Sequence, residues 1–524
     1  MELVKRKITL EDRKQSTKVS VSVDEDVFLP DQLPEADCIV GKKCRVQLEE
    51  PQTEEGQIHI KGKLLYELMI QGESAAQFFV WKGAIPFSEE ERLYGEVDEI
   101  ELQAQMEDFS PELIHSKKVN VRALFSICVT QIRLIGQEAA VDLDTNGGKI
   151  EVLKKKVDLL ELVARKKDVI KVKQEVTLPN NNPDIVEILW TDVSVRALDY
   201  RPKDGKIAIS GEIAMFVLYR AEGMENEIAS CETVVPFSDY PEMSCSREGM
   251  IVELLLRDIE SQVTAREDFD GETRILQLEL AMQVTLRMYE DQELEVMEDV
   301  YGMDREISGL QAPMQYQKLL YIGEGKKKVV DQFPYDKGIQ LVYGSPVHVE
   351  GEAAVENIQT SADGVTVDGF LSLHLLCREQ KEGNPYILIE GQVPFQYQIP
   401  AKGGTDKNED VIHQVSVEVE QISVHFATEG MVEVRAILNV RGYIYEMCEE
   451  SAIQEIKEAP LDPKKVGELP GICIYYPKEG ESVWEIGKKY NMPISQIKEQ
   501  NHLVREKFHQ GEKLLLMKSV AVQK

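Results

Sequence analysis

No stretch of the sequence approaches the roughly 18 consecutive apolar residues that a membrane-spanning helix needs, so no transmembrane segment is encoded. The opening residues Met1-Glu2-Leu3-Val4-Lys5-Arg6-Lys7 are not followed by the apolar core of a secretory signal peptide. Cysteine is sparse. Its eight positions (Cys38, Cys44, Cys128, Cys231, Cys245, Cys377, Cys448 and Cys473) contain no C-x-x-C pair, which argues against a zinc site and a disulfide framework. The expectation is a cytoplasmic protein with reduced thiols. Basic residues are outnumbered, 60 against 93 acidic, for a formal net charge of −33. A phosphate backbone needs clustered Lys and Arg, so nucleic acid is excluded as a partner. Anionic lipid would also be a poor electrostatic anchor.

Catalytic signatures are missing as well. The eight histidines show no H-x-x-x-H or H-E-x-x-H spacing, and there is no G-x-S-x-G, P-loop or G-x-G-x-x-G. Val347-His348-Val349 and Leu373-His374-Leu375 put single histidines on alternating strands, facing solvent or satisfied in a core. Acidic runs such as Glu89-Glu90-Glu91 read as solvated turns. The expectation is a protein that is not an enzyme, with no catalytic residue, metal or cofactor.

What is present is a repeat. Hydrophobic residues make up 43% of the 524 positions, enough for folded cores, and at about 150 residues per domain the length predicts three to four domains. Glu2-Leu3-Val4-Lys5-Arg6-Lys7 is answered by Glu151-Val152-Leu153-Lys154-Lys155-Lys156, 149 positions on. Leu29-Pro30 and Pro34 are answered by Leu178-Pro179 and Pro183, and Gly62 by Gly211, all at the same offset. Pro86-Phe87 is answered by Pro236-Phe237 at 150. A third, divergent copy runs from Phe333-Pro334 through Val367-Asp368-Gly369 to Pro394-Phe395. Each copy closes on an alternating segment: Val119–Ile132, Leu276–Tyr289 and Val432–Tyr445. The repeats are placed at 1–150, 151–305 and 306–460.

Runs such as Ile207–Val217 and Val415–Glu420 alternate apolar and polar residues, the pattern of half-buried antiparallel strands. The recurring glycine inside such a run predicts a bulge or a close backbone approach. Pro202-Lys203-Asp204-Gly205 and Ala362-Asp363-Gly364 read as hairpin turns. The fold class is therefore mainly β, three tandem antiparallel, sandwich-like repeats. The stretch Lys149–Lys173 holds nine Lys or Arg against four acids and reads as a basic linker, one face of a helix or a continuing strand. It is either a solvated element or a contact patch for an acidic partner.

Pro460, Pro463 and Pro470-Gly471 mark a linker over 461–470 before a compact module at 471–518. Its order is strand (Ile472–Tyr476), turn, helix (Ser482–Tyr490), helix (Pro493–Gln500), strand (Lys513–Met517), a small βααβ unit. Ser482 with Glu485 forms a capping box. Val483, Ile486, Gly487 and Tyr490 share a helical face, as do Ile494 and Ile497. Residues 471–524 carry a net charge of +3 and the remainder −36, so the module could dock on an acidic protein.

The repeat pattern, L-P-x₃-P, a strand with x-G, then a P-F turn, resembles the SPOCS domain of spore-forming Firmicutes. The second copy carries it best, and no catalytic residues come with it. The module resembles a LysM domain. Gly480-Glu481-Ser482-Val483-Trp484-Glu485-Ile486-Gly487-Lys488-Lys489-Tyr490 matches the family's G-D-T-L-W-x-I-A-x-x-Y. Ile497–Leu503 matches its I-x-x-x-N-x-L, and Gly511–Leu516 its closing stretch, with Met517 in place of proline. That resemblance implies an N-acetylglucosamine-binding groove formed by Gly480, Glu481, Ser482, Val483, Asn501, His502 and Leu503. It places Trp484, Ile486, Tyr490 and Ile497 in the module core. Together, SPOCS repeats and a LysM domain resemble a clostridial family of spore-coat morphogenetic proteins. The resemblance implies a mother-cell scaffold at the forespore surface whose LysM module contacts a SpoIVA-like coat ATPase. The other reading is a peptidoglycan-binding cortex or cell-wall protein.

Overall fold

The computed structural model describes residues 1–517 apart from 73–77, 146, 224–227, 337, 343–345, 362–363, 381–385, 401–410, 429 and 462–470. Two residues of the hairpin turn expected at Ala362-Asp363-Gly364 and nearly all of the linker expected at 461–470 thus lie outside the described residues. The chain is mainly β, with two short helices near its C-terminal end.

Three similar units follow one another. In the first, β1 (Glu2–Phe28), β7 (Lys118–Asp144) and β6 (Glu99–His115) form one antiparallel sheet in the order β1-β7-β6. Its second sheet joins β2 (Ala36–Leu48), β4 (Gln57–Gly72) and β5 (Phe78–Arg92), with a short β3 (Gln52–Glu54) at one edge. The second unit repeats this with β8 (Ile150–Thr177), β13 (Thr273–Gly302) and β12 (Ile251–Glu267) facing β9 (Ile185–Lys203), β10 (Lys206–Ala221) and β11 (Ile228–Asp239). The third uses β14 (Arg305–Pro334), β19 (Met431–Pro460) and β18 (Val411–Thr428) with β15 (His348–Ser361), β16 (Gly364–Arg378) and β17 (Tyr386–Ile399). Each unit closes its own core between its two sheets, as Ile207, Ile209 and Val217 of β10 do against Leu278, Leu280 and Met282 of β13.

The basic stretch is not a linker. It is β8, paired along its length with β13, and its charge is neutralised by acids from all three units. Lys154 meets Asp142, Lys155 meets Glu450, Lys156 meets Glu293 and Lys167 meets Glu99. Of the readings the sequence allowed it is the continuing strand, at the edge of its sheet, with the neighbouring units' carboxylates beside its lysines.

The P-F dipeptides are not turns either. Pro86-Phe87, Pro236-Phe237 and Pro394-Phe395 lie inside β5, β11 and β17. These are edge strands, where a residue without an N–H is tolerated. Each phenylalanine sits opposite the recurring glycine: Gly62 with Phe87, Gly211 with Phe237 and Gly369 with Phe395. A β-carbon on Gly62 would stand 2.6 Å from the Phe87 ring. The strand glycine is thus the close approach its pattern implied, and the aromatic ring fills the missing side chain's place.

The first and last strands of each unit outrun their sandwich. They continue as two-stranded ribbons at 2–12/133–144, 150–161/290–302 and 305–317/447–460. These ribbons pack on one another around a common apolar core that includes Ile8, Leu10, Val157, Leu159, Leu294, Val296, Met314 and Ala452. A second shared core joins the smaller sheets through Val40, Met69, Trp190, Phe216, Leu376 and Tyr386. The repeats therefore have cores of their own but are also fused around an axis, rather than strung as separate beads.

Charged groups are buried where the units meet. Arg287 is fully buried and donates to Glu11 (3.1 Å), Glu253 (3.5 Å) and Glu101. Arg13 also donates to Glu11 and Glu253, both at 3.1 Å. Near the second shared core, Asp192 accepts from Lys43 (2.7 Å) and bonds His348 Nε2 (3.0 Å), one residue from each unit. His348 also stacks on Phe216, with centroids 4.0 Å apart. Of the two options its pattern allowed it takes the core one, with Nε2 paired to Asp192 while Nδ1 is buried without a hydrogen-bond partner among the described residues.

Candidate functional site

The C-terminal module is built from β20 (Ile472–Tyr475), α1 (Val483–Tyr490), α2 (Ile494–Asn501) and β21 (Leu514–Met517). The two strands pair antiparallel. Ser482 begins α1 because its hydroxyl accepts the Glu485 N–H while the Glu485 carboxylate accepts the Ser482 N–H. Asn491 and His502 end the two helices in left-handed conformation, at φ 51° and 50°. Val483, Ile486, Met492, Ile497, Phe508, Leu514 and Leu516 form the core, with Tyr475, Tyr490, Ile494 and Leu503 packed against it.

Trp484 does not join that core, contrary to its placement there by resemblance. Its ring meets Tyr301 of β13 edge-on, with centroids 4.8 Å apart, and its indole N–H donates to Asp299 Oδ2 at 2.8 Å. Helical periodicity gives a buried face without saying what covers it. Here two faces of α1 are covered, one by the module and one by the second ribbon. Lys488 Nζ reaches both Asp299 oxygens at 2.6 and 2.7 Å. Tyr301 donates its hydroxyl to the Met492 carbonyl at 2.7 Å, and Glu151 accepts the Ile494 N–H at 3.3 Å, the first turn of α2. Burial pushes the Asp299 carboxyl up, but the hydrogen bonds from Lys488 and Trp484 more than offset this and hold it below the usual carboxylate range.

Asp299, Tyr301 and Glu151 were not visible as site residues in the sequence. One hint existed. Gly487 sits mid-helix, where glycine is about 1 kcal/mol less favourable than alanine. A β-carbon there would stand 2.5 Å from the Tyr301 hydroxyl. Beside this seat, a cleft of about 640 Å³ opens between the ribbon tips and the module, lined by Arg305, Lys457, Lys488 and Lys489 among others.

The groove loops lie together as the resemblance implied, but their polar groups are engaged. The Gly480 and Val483 N–H groups donate to the Phe508 and Glu506 carbonyls, both at 2.9 Å. The Glu481 carboxylate accepts from the Tyr475 hydroxyl at 2.9 Å and the Lys478 N–H at 2.8 Å. Asn501 faces inward: its amide donates to Ile497 O and Leu515 O and accepts from the Leu515 N–H at 2.6 Å, tying α2 to β21. His502 caps α2 and is exposed, and Leu503 is half-buried. Among the described residues no three His, Cys, Asp or Glu side chains gather as a metal site, and the eight cysteines form no disulfide. No helix among them is long and apolar enough to cross a membrane.

Comparison with known families agrees with both resemblances. The family model described as SipL, SPOCS domain matches residues 184–261, which cover β9, β10, β11 and most of β12. The LysM domain model matches residues 478–514. No curated protein and no solved structure matches the chain. The two family matches give the chain a SPOCS domain inside its second repeat and a LysM domain at its C-terminal end, matching a SipL-like protein.

Proposed function

We propose that this protein is a non-enzymatic scaffold of endospore coat assembly, working in the mother cell at the forespore surface. In this reading the LysM module holds a coat basement-layer protein, a SpoIVA-like ATPase, and the fused β body supplies a rigid platform. The observation that carries it is the state of the groove. The Gly480 and Val483 N–H groups, the Glu481 carboxylate and the Asn501 amide already have partners within the module. An acetamido sugar needs such groups free and convergent, whereas a protein partner can use the module's exposed side chains. Seating on Asp299 and Tyr301 supports the same reading, since it fixes the module's orientation on the body.

A second reading, glycan binding, is favoured by the LysM match itself. Purified full-length chain is mixed with the purified coat ATPase in one arm and sedimented with purified peptidoglycan in the other. Co-purification with the ATPase and none with peptidoglycan is expected. The reverse pattern overturns the scaffold reading in favour of a cortex or cell-wall role. Fluorescent localisation with and without residues 471–524 then tests where the module acts.

A further inference from the structure

The two edges of the β20–β21 pair are treated differently. On the β21 side, the backbone of Leu515 and Met517 is covered by side-chain amides of α2. Asn501 takes both the N–H and the carbonyl of Leu515. Gln500 takes both groups of Met517, and Gln496 adds a second bond to the Met517 carbonyl. Three amides thus stand in for a third strand and blunt that edge.

The same bonds fix the geometry of the other edge. Leu515 and Met517 point their backbone groups away from β20, so their partners Ile474 and Ile472 form the non-hydrogen-bonded pairs of the ladder. The N–H and carbonyl of Ile472 and Ile474 therefore point outward, where no described residue meets them. Their side chains do not turn inward either: Ile472 is 68% exposed, Ile474 62% and the following Tyr476 57%. Leu515 and Met517 extend the same apolar face across the pair. Proteins normally cover or charge an open edge, and this one carries large apolar residues instead.

Charge says what fits. Lys478, Lys489, Lys507 and Lys513 of the module have no carboxylate partner among the described residues. Lys513 lies over the Tyr476 ring and Lys489 over the Tyr475 ring, both at the exit end of β20. The remainder of the chain carries a net −36, so this edge is a positive, apolar strip on an otherwise acidic molecule.

We infer that the outer edge of β20 is a strand-addition site for an extended, acidic segment of a partner protein with apolar residues at alternate positions. The inference rests on the reading that the module binds protein. The incoming strand pairs with the free backbone groups of Ile472 and Ile474. Its apolar side chains cover Ile472, Ile474 and Tyr476, and its acids meet Lys489 and Lys513. Main-chain bonds supply affinity in this mode, and alternate side chains supply specificity.

The test uses the full-length chain, the purified coat ATPase as probe, and two variants. Ile474→Pro removes an N–H that makes no bond inside the module; proline is tolerated at such an outward edge position. Ile474→Glu keeps the backbone but puts an acid in the strip. Both should keep the Trp484 fluorescence of the seated module and weaken ATPase binding at least tenfold. Binding should also slow hydrogen exchange at the Ile472 and Ile474 amides. If the unaltered chain does not bind the ATPase, the scaffold reading fails and the inference with it. If the chain binds and both variants bind equally well with unchanged exchange at those amides, the inference alone is overturned. Concentration-dependent dimers of the unaltered chain that Ile474→Glu abolishes would overturn it too, naming a second copy as the occupant.

Discussion

Phe237 covers Gly211 across the β10–β11 pair, so tightly that a β-carbon on the glycine would stand 2.8 Å from the ring. The same pair recurs as Gly62 with Phe87 and Gly369 with Phe395. It explains why two motifs that are about 25 residues apart travel together through three divergent repeats: each is the other's packing partner.

Gly211→Ala should therefore destabilise the chain by about 1–3 kcal/mol, the range for overpacking a core. Phe237→Ala should be destabilising for the opposite reason, a cavity over bare backbone. The double variant should cost less than the two single changes together, because the methyl group then occupies space the ring has left. Urea unfolding of the four proteins checks this. Strict additivity would show that the two residues do not pack as described.

Arg287 sits unexposed among Glu11, Glu101 and Glu253. Arg287→Met strands buried carboxylates and should cost about 3–5 kcal/mol. The cluster also sets a pH dependence. Burial pushes the Glu11 carboxyl up, but the Arg13 and Arg287 charges outweigh it and hold the group below its ordinary 4.5. A depressed carboxyl stabilises the fold fully above its unfolded value and loses that contribution as pH falls through its folded value. Stability should thus drop as pH is lowered below about 4.5, and Glu11→Gln should flatten that slope while lowering stability at neutral pH. A variant that keeps the full acid slope would remove Glu11 from this role.

Asp299 grips Trp484 and Lys488 together. Asp299→Asn should loosen the seated module without unfolding it, seen as faster hydrogen exchange along α1 and altered Trp484 emission, with the module's own core intact. The Asp299 carboxyl is held below its ordinary 3.8 by those donors. The seat should therefore be complete above that value and release as pH falls beneath it. Unchanged exchange in Asp299→Asn would mean that Tyr301 and Glu151 alone hold the module.

The repeats and the module were legible in the sequence because both rest on spacing. The 149-residue offset and the Gly480–Tyr490 string survive in one dimension. What the chain builds between units was not legible. Ile8, Leu10, Val157 and Leu159 alternate with polar or charged residues as they would in any half-buried strand, and alternation does not name the surface that covers it. The lengths of β1 and β7, 27 residues each against 16 for β4, are the trace of the ribbons, but unbroken alternation has no visible end before pairing partners are known. Trp484 illustrates the same gap on a helix: the motif supplies the residue, but its partner is on another unit. Asn501 shows a different one. A motif asparagine next to a predicted groove reads as a ligand contact, yet its amide completes the edge of β21. An Asn501→Ala variant therefore breaks the module's frame, and loss of any ligand in it would not locate a groove.

Fusing three similar units around one axis has a consequence for stoichiometry. Three identical chains would offer three equivalent ribbon tips and seat three modules. A single chain lets the tips differ, and Asp299 and Tyr301 lie on the second alone. The assembly is thus threefold in its frame and monovalent in its reach. Under the proposed scaffold role, strong attachment to an extended coat surface would come from many copies arriving side by side, each bringing one grip, rather than from any one copy gripping three times.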